Sequence, residues 1–344
     1  MDDIRQPLPV NPVRLMDQLR KEIRQRGMSY QTEKTYLYWV RYYIRFHNKQ
    51  HPSTMGAAEI DTFLSYLSER RNVSVNTQRI ALNAIIFLYK KHLNQEVGKL
   101  KYTGARRSKR VPVVFSHNEA MNVIESLSDP YRLMTELLYG AGLRLNECLS
   151  LRIKDLDFEQ LQICVRNGKG NKDRFTLLPQ PIVNRLHEQI SKVSKLHQYD
   201  LARGFGEVYM PDALSRKYPR EARSLGWQFL FPATRVGVDP RSGVKRRHHV
   251  HDSAFSKNLR RAFLATGIRK RCSAHTFRHS FATRLLETGY DLKLIQSLLG
   301  HSDIRITEIY LHIVRNRSSS ITGPLSLSNE VRESQAAYSY PTAA

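Results

Sequence analysis

The sequence predicts a mainly α-helical protein with a small β component, in which an all-helical N-terminal domain precedes an α+β C-terminal domain. The chain has 344 residues, a length that suits two domains of ordinary size. Apolar residues recur at steps of three and four along most of it, which is the period of amphipathic helices. Two short apolar runs, at residues 161–165 and 174–178, flank a segment rich in turn residues and indicate a β-hairpin.

Residues 1–97 are predicted to form the all-helical domain. The apolar period indicates four helices, at about residues 12–26, 30–47, 57–71 and 74–93. Seven aromatic residues crowd the second helix: Tyr30, Tyr36, Tyr38, Trp39, Tyr42, Tyr43 and Phe46. We interpret this aromatic stripe as helix-packing core, and the interleaved Lys34, Arg41 and Arg45 as candidate contacts to backbone phosphates.

A basic segment at residues 98–112 is predicted to link the two domains. Five cations and no acidic residue lie within residues 101–110, among them Arg106, Arg107, Lys109 and Arg110. Glycine and proline punctuate the segment, as is typical of a linker. A flexible tether is one interpretation, but we favour a linker of this charge that lies along the phosphates of a nucleic acid.

Residues 113–317 are predicted to form the α+β domain, and residues 318–344 a C-terminal tail. Ser116, three residues before Glu119, forms a capping box that begins the first helix of this domain. Helices are predicted at about residues 116–126, 129–141, 145–151, 181–197, 252–266, 275–288, 291–299 and 303–315. The segment from about 199 to 250 matches neither the helical nor the strand period.

The charge of the chain predicts a nucleic-acid partner. It has 55 Lys and Arg residues against 31 Asp and Glu, a formal net charge of +24, and such a surplus most often serves a polyanion. No apolar run approaches the ~18 residues of a membrane-spanning helix, and residues 1–5 lack the apolar region of a secretion signal. Three scattered cysteines are too few for a disulfide framework. We therefore expect a soluble, intracellular protein with no membrane partner.

The C-terminal domain contains an ordered set of residues suited to phosphoryl transfer without a metal. The set comprises Arg144, Lys169, His275, Arg278, His301 and Tyr310. His275 and Arg278 are three residues apart, so they share one face of a helix. Guanidinium groups neutralise phosphate oxygens, imidazole and ammonium groups move protons, and a phenol can act as the nucleophile. Each residue alone has an ordinary interpretation as a solvated charge, a helix cap or core, and it is the ordered combination that points to this chemistry.

In its order and spacing this set resembles the tyrosine recombinase family, which includes the phage integrases and the Xer recombinases. Residues 298–301, Leu-Leu-Gly-His, form its most recognisable phrase, and the resemblance covers nearly the whole chain. It implies that residues 1–97 are the family's SAM-like core-binding domain and residues 113–317 its catalytic domain, closing on DNA as a C-shaped clamp. It also implies that the enzyme needs no cofactor, neither ATP nor a metal, and that a homo-tetramer acts on two DNA sites through a Holliday-type junction.

The resemblance further implies how the DNA bond is cut. Tyr310 would attack the scissile phosphate, form a 3′-phosphotyrosyl link and free a 5′-hydroxyl. Arg144 and Arg278 would hold the phosphate oxygens, and Glu147 would orient Arg144 from one helical turn away. The covalent link conserves the energy of the phosphodiester, so rejoining needs no external energy source.

The remaining members of the set would serve proton transfer and phosphate binding. By the resemblance, Lys169 at the tip of the predicted hairpin is the acid for the leaving 5′-oxygen. His275 would assist proton transfer to or from Tyr310, and His301 would hydrogen-bond the phosphate. The chain departs from the family at Leu311, where relatives usually have threonine, a change that leaves the nucleophile in place.

The segment from about 199 to 250 resembles the insertion that distinguishes integron integrases, which recombine gene-cassette sites folded as single-strand hairpins. In that group the insertion contacts bases that are flipped out of the hairpin, and Trp227, Pro240, His248 and His249 match the contact positions. Trp227 could instead belong to the core. The histidines could suggest a metal, but no carboxylate or thiolate lies at ligand spacing nearby, so no metal is expected.

Two other functions stay open at this point. A DNA-binding module without catalysis would account for the charge but not for six matched residues in order. A recombinase of ordinary duplex sites, phage-type or Xer-like, would account for those six but not for the insertion. The expected function is therefore the integration and excision of gene cassettes by a cytoplasmic, nucleoid-associated bacterial enzyme, with duplex attachment sites and folded hairpins as its DNA partners.

Overall fold

Two compact units make up the protein in the computed structural model, which describes residues 8–105, 112–166, 173–210, 212–239, 243–270 and 272–317. The chain passes from the first unit to the second between residues 105 and 112. Each unit has a hydrophobic core of its own. Helices dominate both units, and all the strands in the described residues belong to the second, so the predicted fold class is confirmed. None of the helices in these ranges is both long and apolar enough to span a membrane.

Within residues 8–105, four α-helices and two short turns of other helical types build the first unit. The α-helices are α1 Leu15–Gln25, α2 Tyr30–Phe46, α3 Ala57–Glu69 and α4 Val75–Phe87. A 3₁₀ turn, Pro52–Thr54, precedes α3, and a π-helical turn, Leu88–His92, extends α4 close to the end predicted for the fourth helix. Ser29 and Ser74 cap α2 and α4 by accepting hydrogen bonds from backbone N–H groups three residues ahead.

The aromatic stripe of α2 is mostly core. Tyr43 is fully buried and its hydroxyl lies 3.0 Å from that of Tyr89, while Trp39 is 8% exposed. Tyr43 also packs edge-on against Phe63 of α3. Tyr38 and Tyr30 are outside this core, and 58% of the surface of Tyr38 is exposed. The prediction that the stripe packs the helices together is therefore confirmed for its inner face.

Between residues 112 and 317, the second unit combines helices with two small antiparallel sheets. Its helices are α5 His117–Glu125, α6 Tyr131–Gly140, α7 Leu145–Leu149, α8 Val183–Ala202, α9 Asp212–Lys217, α10 Asp252–Ala265, α11 Ala274–Glu287, α12 Leu292–Leu299 and α13 Arg305–Arg317. One sheet has the strand order β1 Leu156–Asp157, β2 Gln162–Val165, β3 Arg174–Leu177, and the other pairs β4 Gly237–Val238 with β5 Lys245–Arg246. β2 and β3 are the two strands predicted to form a hairpin, with Val165 opposite Arg174.

Helix α8 runs past the end predicted at about residue 197, so the segment that matched no period begins inside a helix. Two polar residues near this end, His197 and Asp200, are buried and have partners elsewhere in the chain. His197 Nε2 contacts the Arg223 carbonyl at 2.9 Å, and the Asp200 carboxylate binds Arg247 at 2.5 and 2.8 Å. A helix end that is buried by polar partners shows no apolar period, which is why the sequence pattern stops short of it.

Helix α11 is the central helix of the second unit. It packs against α5, α6, α12 and α13, and buried residues occur on all its sides. Phe277 faces the main core, where it packs with Phe115 and Phe263. Phe281 belongs to a smaller cluster with residues of α12 and α13. The packing of α11 therefore fixes the centre of the candidate site, since His275 and Arg278 lie on this helix.

Candidate active site

The turn before α7 places Arg144 beside Glu147, whose carboxylate also lies near Arg278 of α11. Gly142 has a φ of +64°, and a side chain there would overlap the ring of Phe281, so both the backbone and the packing require glycine. The Gly142 carbonyl accepts a hydrogen bond from Arg278 Nη1 at 2.5 Å. Two residues later, Arg144 occupies the N-cap of α7. The Gly-bearing turn thus places two arginines of the predicted set on neighbouring elements.

Glu147 joins the arginines of the site. Its carboxylate accepts hydrogen bonds from Arg144 Nη1 at 2.6 Å and from the Arg144 backbone N–H at 2.8 Å. Arg174 Nη1 and Nη2 contact the same carboxylate at 2.9 and 2.8 Å, and Arg278 Nη1 lies 3.8 Å from it. Burial raises the pKa of Glu147, but the hydrogen bonds from Arg174 and Arg144 outweigh burial and hold that pKa at about 2. One ionised carboxylate thus faces three guanidinium groups, which leaves an excess of positive charge.

Sequence patterns do not single out Arg174. Its Nε donates to the Leu298 carbonyl at 2.9 Å, so it connects β3 to the end of α12. Gly300 follows that helix with a φ of +62°, and a Cβ there would lie 2.6 Å from Arg174 Cδ. The one signal in the sequence is position, because Arg174 begins the strand that follows the segment containing Lys169.

Arg278 is a buried guanidinium fixed by backbone carbonyls. It is 3% exposed, and its two terminal nitrogens donate to the carbonyls of Gly142 and Leu299. Burial, followed by the charge of Arg144, lowers the pKa of Arg278 to about 9. A bound anion would offset both effects, so this corner of the site is suited to receive negative charge.

His301 stands at the corner between α12 and α13. Gly300 ends α12 in the left-handed conformation, and the ring of His301 then contacts Thr307 Oγ1 through Nδ1 at 3.0 Å. Burial, followed by the charges of Arg278 and Arg144, lowers the pKa of His301 to about 4. The ring is therefore neutral at pH 7, and with Nδ1 engaged by Thr307 it is Nε2 that can meet a substrate.

Tyr310 lies within the small cluster that joins α11, α12 and α13. It is 3% exposed and packs with Phe281, Leu299 and Ile313. Burial raises the pKa of its hydroxyl, while the positive charge of Arg278, and then of Arg144, acts in the opposite direction. The phenol thus lies in the electrostatic field of the two arginines of the predicted set.

The nitrogen in contact with Tyr310 belongs to His279. His279 Nδ1 lies 2.8 Å from Tyr310 Oη. His275 is exposed at the start of α11, and partial desolvation, followed by the charges of Arg278 and Arg144, lowers its pKa. Sequence patterns do not single out His279, and its one signal is its place directly after Arg278.

Several predicted site residues lie outside the described residues. These are Lys169, Pro240 and the linker cations Arg106, Arg107, Lys109 and Arg110. The tail from residue 318 also lies outside them. Their assignments stay predictions.

Trp227, His248 and His249 come together around a buried ring, that of Phe229. The centroids of His248 and His249 lie 5.1 and 5.2 Å from that of Phe229 and 4.1 Å from each other. The Arg152 guanidinium lies 4.7 Å from the Phe229 centroid and 5.1 Å from that of Trp227, so it connects the two rings. Burial, followed by the neighbouring His249, lowers the pKa of His248 to about 4, so its ring is neutral at pH 7.

Trp227 is half-buried at the end of a 3₁₀ turn, Leu225–Trp227. The Lys154 ammonium lies over its ring, 2.8 Å from the centroid, and Arg152 Nη1 donates to its carbonyl at 2.6 Å. In the part of the chain that the structure describes, no group of three or more His, Cys, Asp or Glu side chains is arranged to hold a metal ion. The cluster around Phe229 therefore combines aromatic faces with cations.

Two family models match the chain. The phage integrase family matches residues 114–317, and the phage integrase N-terminal SAM-like domain matches residues 15–99. Proteins named integrase/recombinase from Escherichia coli and Pseudomonas aeruginosa are each 45% identical to this chain, over 92% of it and 94% of their own length. Tyrosine recombinase XerD of Oceanobacillus iheyensis is 28% identical over 85% of this chain and 91% of its own.

Solved structures share the fold. The Tn1549 transposon integrase in complex with transposon right end DNA has a TM-score of 0.60 at 16% identity, covering 93% of this chain and 98% of that one. XerH bound to a palindromic difH substrate has a TM-score of 0.56 at 22% identity, covering 89% of this chain and 83% of that one. At such low identities the likeness concerns the fold alone.

Proposed function

We propose a specific reaction for this chain, which belongs to the phage integrase family. It is a tyrosine recombinase, an enzyme of site-specific DNA recombination. In our proposal it integrates and excises gene cassettes, and it acts on cassette sites folded as single-strand hairpins. The observation on which the catalytic part rests is that Arg144 and Arg278 share Glu147 as a neighbour and that both arginines act on the Tyr310 phenol.

The scissile phosphate is proposed to bind at Arg144 and Arg278. Glu147 neutralises only part of the guanidinium charge around it, and the same two arginines act on the Tyr310 phenol. A phosphate held there would lie beside the phenol. Tyr310 Oη would form the new bond to phosphorus while the bond to the 5′-oxygen breaks, which gives a 3′-phosphotyrosyl link.

Two protons move in this step. The leaving 5′-oxygen gains one, and we assign its donor as Lys169, following the resemblance. The Tyr310 hydroxyl loses one, and the resemblance gives that proton to His275. His301, whose Nδ1 is engaged by Thr307, would hydrogen-bond the phosphate through Nε2.

The hairpin part of the proposal rests on the cluster around Phe229. The stem of a folded strand is symmetric, so its paired bases cannot tell the enzyme which strand was folded, whereas extrahelical bases can. A flipped-out base needs an aromatic face to stack on and polar neighbours to orient it. Trp227 supplies a half-buried ring with the cation Lys154 over it, and the adjacent His248 and His249 supply neutral rings that stack or hydrogen-bond.

Four copies of the chain would act on two DNA sites and exchange one pair of strands through a Holliday-type junction. DNA is the expected partner because the formal net charge is +24 and because two structures of the same fold hold recombinases on DNA. A duplex-site recombinase of the Xer type is the second candidate. The 28% identity to XerD over 85% of this chain favours it.

A recombination assay separates the two candidates. A duplex attachment site is paired either with a folded bottom-strand hairpin or with the same cassette site as a duplex. We expect the hairpin to be the preferred partner. Trp227→Ala should reduce recombination of the hairpin by a factor of about 5 to 150, the equivalent of roughly 1–3 kcal/mol of stacking energy. Cleavage of a nicked duplex site should change little, because the catalytic residues are intact.

Tyr290→Ala is the matched control, since Tyr290 is an exposed aromatic residue of the same unit that lies outside the insertion. It should leave both substrates unaffected. Equal losses on hairpin and duplex for Trp227→Ala would make the cluster around Phe229 purely structural, and preference for the duplex partner would favour the Xer-type candidate.

A further inference from the structure

We propose that His279 is the base that takes the proton of Tyr310 as the phenol attacks the phosphate, an inference that rests on the proposed role of Tyr310 as nucleophile. His279 Nδ1 lies 2.8 Å from Tyr310 Oη, and the two ring centroids are 5.7 Å apart. A general base must lie within hydrogen-bond reach of the proton that it removes, about 2.6–3.2 Å between heavy atoms. His279 meets that requirement before any DNA is bound.

Few polar groups of the described residues are available to the hydroxyl of Tyr310, because its surroundings are mostly apolar. The ring packs among apolar side chains of three helices, including Phe281, Leu299 and Ile313. A phenol in such a setting needs a hydrogen-bond partner, because an unsatisfied buried hydroxyl is costly. Among the described residues that partner is His279.

The protonation states suit the transfer. Burial, followed by the charges of His275 and Arg278, lowers the pKa of His279 to about 4, so its ring is neutral at pH 7 and can accept a proton. Burial raises the pKa of Tyr310, so the hydroxyl keeps its proton until it reacts. A phosphate held by Arg278 would offset the positive charge that lowers the pKa of His279, and the ring would become a stronger base when DNA binds.

Cleavage moves one proton from Tyr310 to His279 and another to the leaving 5′-oxygen. Tyr310 Oη forms a bond to phosphorus, and its proton passes to His279 Nδ1, which leaves an imidazolium. The bond between phosphorus and the 5′-oxygen breaks, and that oxygen takes a proton from Lys169 in the proposed mechanism. In the rejoining step a 5′-hydroxyl attacks the phosphotyrosine and gives its proton to the neutral amine of Lys169. The bond between phosphorus and Tyr310 Oη breaks, and the His279 imidazolium returns its proton to Tyr310.

His275 is less well placed for this transfer. It is exposed at the start of α11, and the charges that act on its pKa are those of Arg278, Arg144 and Glu147. Arg278 and Arg144 are the groups expected to hold the phosphate. His275 therefore fits a contact with the phosphate better than a contact with the buried phenol.

The first test is His279→Asn, which keeps a polar group near the position of Nδ1 but cannot take a proton. Cleavage of a nicked suicide substrate should slow by about 10²–10⁴-fold, while DNA binding stays at the wild-type level. His117→Asn is the matched control, because His117 Nδ1 also contacts a tyrosine hydroxyl, that of Tyr139, at 3.1 Å. The control should cleave at the wild-type rate.

Two chemical substitutions separate a base from a packing residue. A substrate with sulfur in place of the bridging 5′-oxygen needs no acid, because a thiolate is a good leaving group. It should restore cleavage by Lys169→Ala but not by His279→Asn. A fluorinated tyrosine at position 310, whose phenol is more acidic, should restore part of the rate of His279→Asn, and a residue that merely packs against Tyr310 would not show this rescue.

Tyr310→Phe distinguishes failure of this inference from failure of the proposed function. A covalent adduct that persists in Tyr310→Phe places the nucleophile elsewhere and overturns both. A second outcome overturns only the base assignment: Tyr310→Phe loses the adduct, but His279→Asn cleaves at or above the wild-type rate. The contact between His279 and Tyr310 would then belong only to the DNA-free protein and would play no part in the reaction. His279→Gln is the second variant, to be used with the same substrates if the thermal unfolding midpoint shows that His279→Asn is unfolded.

Discussion

At the scale of single residues, one carboxylate organises the candidate site. Glu147 contacts Arg144 and Arg174 directly and lies 3.8 Å from Arg278, and its side chain is 9% exposed. Removing one member of a buried charge network is expensive because the remaining charges stay buried without compensation. Glu147 therefore holds together a group of guanidiniums drawn from α7, β3 and α11, which is a wider role than orienting Arg144.

We expect Glu147→Gln to lower the free energy of unfolding at pH 7 by roughly 3 kcal/mol. The pKa of Glu147 is about 2 in the folded protein against an ordinary value of 4.5. A carboxyl whose pKa is lower in the folded state stabilises the fold above its unfolded pKa and loses that contribution as the pH falls through its folded pKa. The wild type should thus lose this stability between pH 4.5 and about 2, and the variant should not. Urea unfolding at a series of pH values measures both effects.

Glu125→Gln is the control for this prediction, because Glu125 is exposed at the end of α5. Its unfolding curve should follow the wild type at every pH. A Glu147→Gln protein whose stability declines as steeply as that of the wild type in acid would show that the carboxylate is not held by the arginines.

The residues that the sequence does not predict are those whose partners are distant along the chain. The ordered set of six is predicted from its order alone, whereas His279 meets Tyr310 across 31 residues and Arg174 meets Glu147 across 27. Neither separation corresponds to a helical or strand period. These contacts arise from the packing of α11 on α13 and of β3 beside α7, so they become visible only in three dimensions.

At the scale of elements, glycines with a positive φ form the turns that position the site residues. Gly142 turns the chain from α6 into α7, and Gly300 turns it from α12 toward His301. Both positions require glycine for two reasons. The φ angle is positive, and a neighbouring side chain occupies the space that a Cβ would fill. The position of Arg144 thus depends on the turn as well as on α7.

We expect Gly142→Ala to impair both stability and cleavage. The left-handed backbone alone costs about 1–2 kcal/mol for a residue with a Cβ, and overlap with the Phe281 ring adds roughly 1–3 kcal/mol. Relief of that overlap moves the turn, so Arg144 and the carbonyl that binds Arg278 shift and the cleavage rate falls. Thermal unfolding and suicide-substrate cleavage measure the two effects separately.

Gly267→Ala is the matched control for the backbone term. Gly267 has a φ of +67°, close to that of Gly142, and a Cβ there would meet no atom within 4 Å. It should cost about 1–2 kcal/mol and leave cleavage unchanged. If Gly142→Ala and Gly267→Ala lose the same stability and both cleave at the wild-type rate, the Phe281 ring moves aside without displacing the site residues.

The elements that the sequence predicts best are the long, periodic ones. The strands of the insertion are two residues long, its 3₁₀ turns span three and α9 spans six, so none of them is long enough to show a clear period. Polar contacts hold this segment instead, with Arg246 bound to Glu207 and Asp239, and Arg247 bound to Asp200. Such a segment gives little signal in the sequence beyond the absence of a pattern.

At the scale of the whole molecule, the surplus of positive charge should govern how DNA binding responds to salt. Each phosphate that the protein neutralises releases counterions, and log affinity falls against log salt with a slope of about 0.9 per neutralised phosphate on duplex DNA and about 0.7 on a single strand. The formal net charge is +24, but only the cations that touch phosphates contribute to the slope. The linker at residues 98–112 is the segment where the sequence concentrates them.

Neutralising Arg106, Arg107, Lys109 and Arg110 together should weaken binding to all DNA sequences to a similar extent. The salt slope should fall by about 0.7–0.9 for each phosphate that the linker no longer neutralises. A second variant makes the same change in net charge at exposed positions in the described helices, by replacing Lys21, Lys192, Lys195 and Lys257 with glutamine. Fluorescence anisotropy over a range of salt concentrations measures both slopes. A smaller slope in the linker variant alone places the linker on the phosphates, equal changes in both would assign the effect to net charge, and an unchanged slope in the linker variant would reduce the segment to a passive tether.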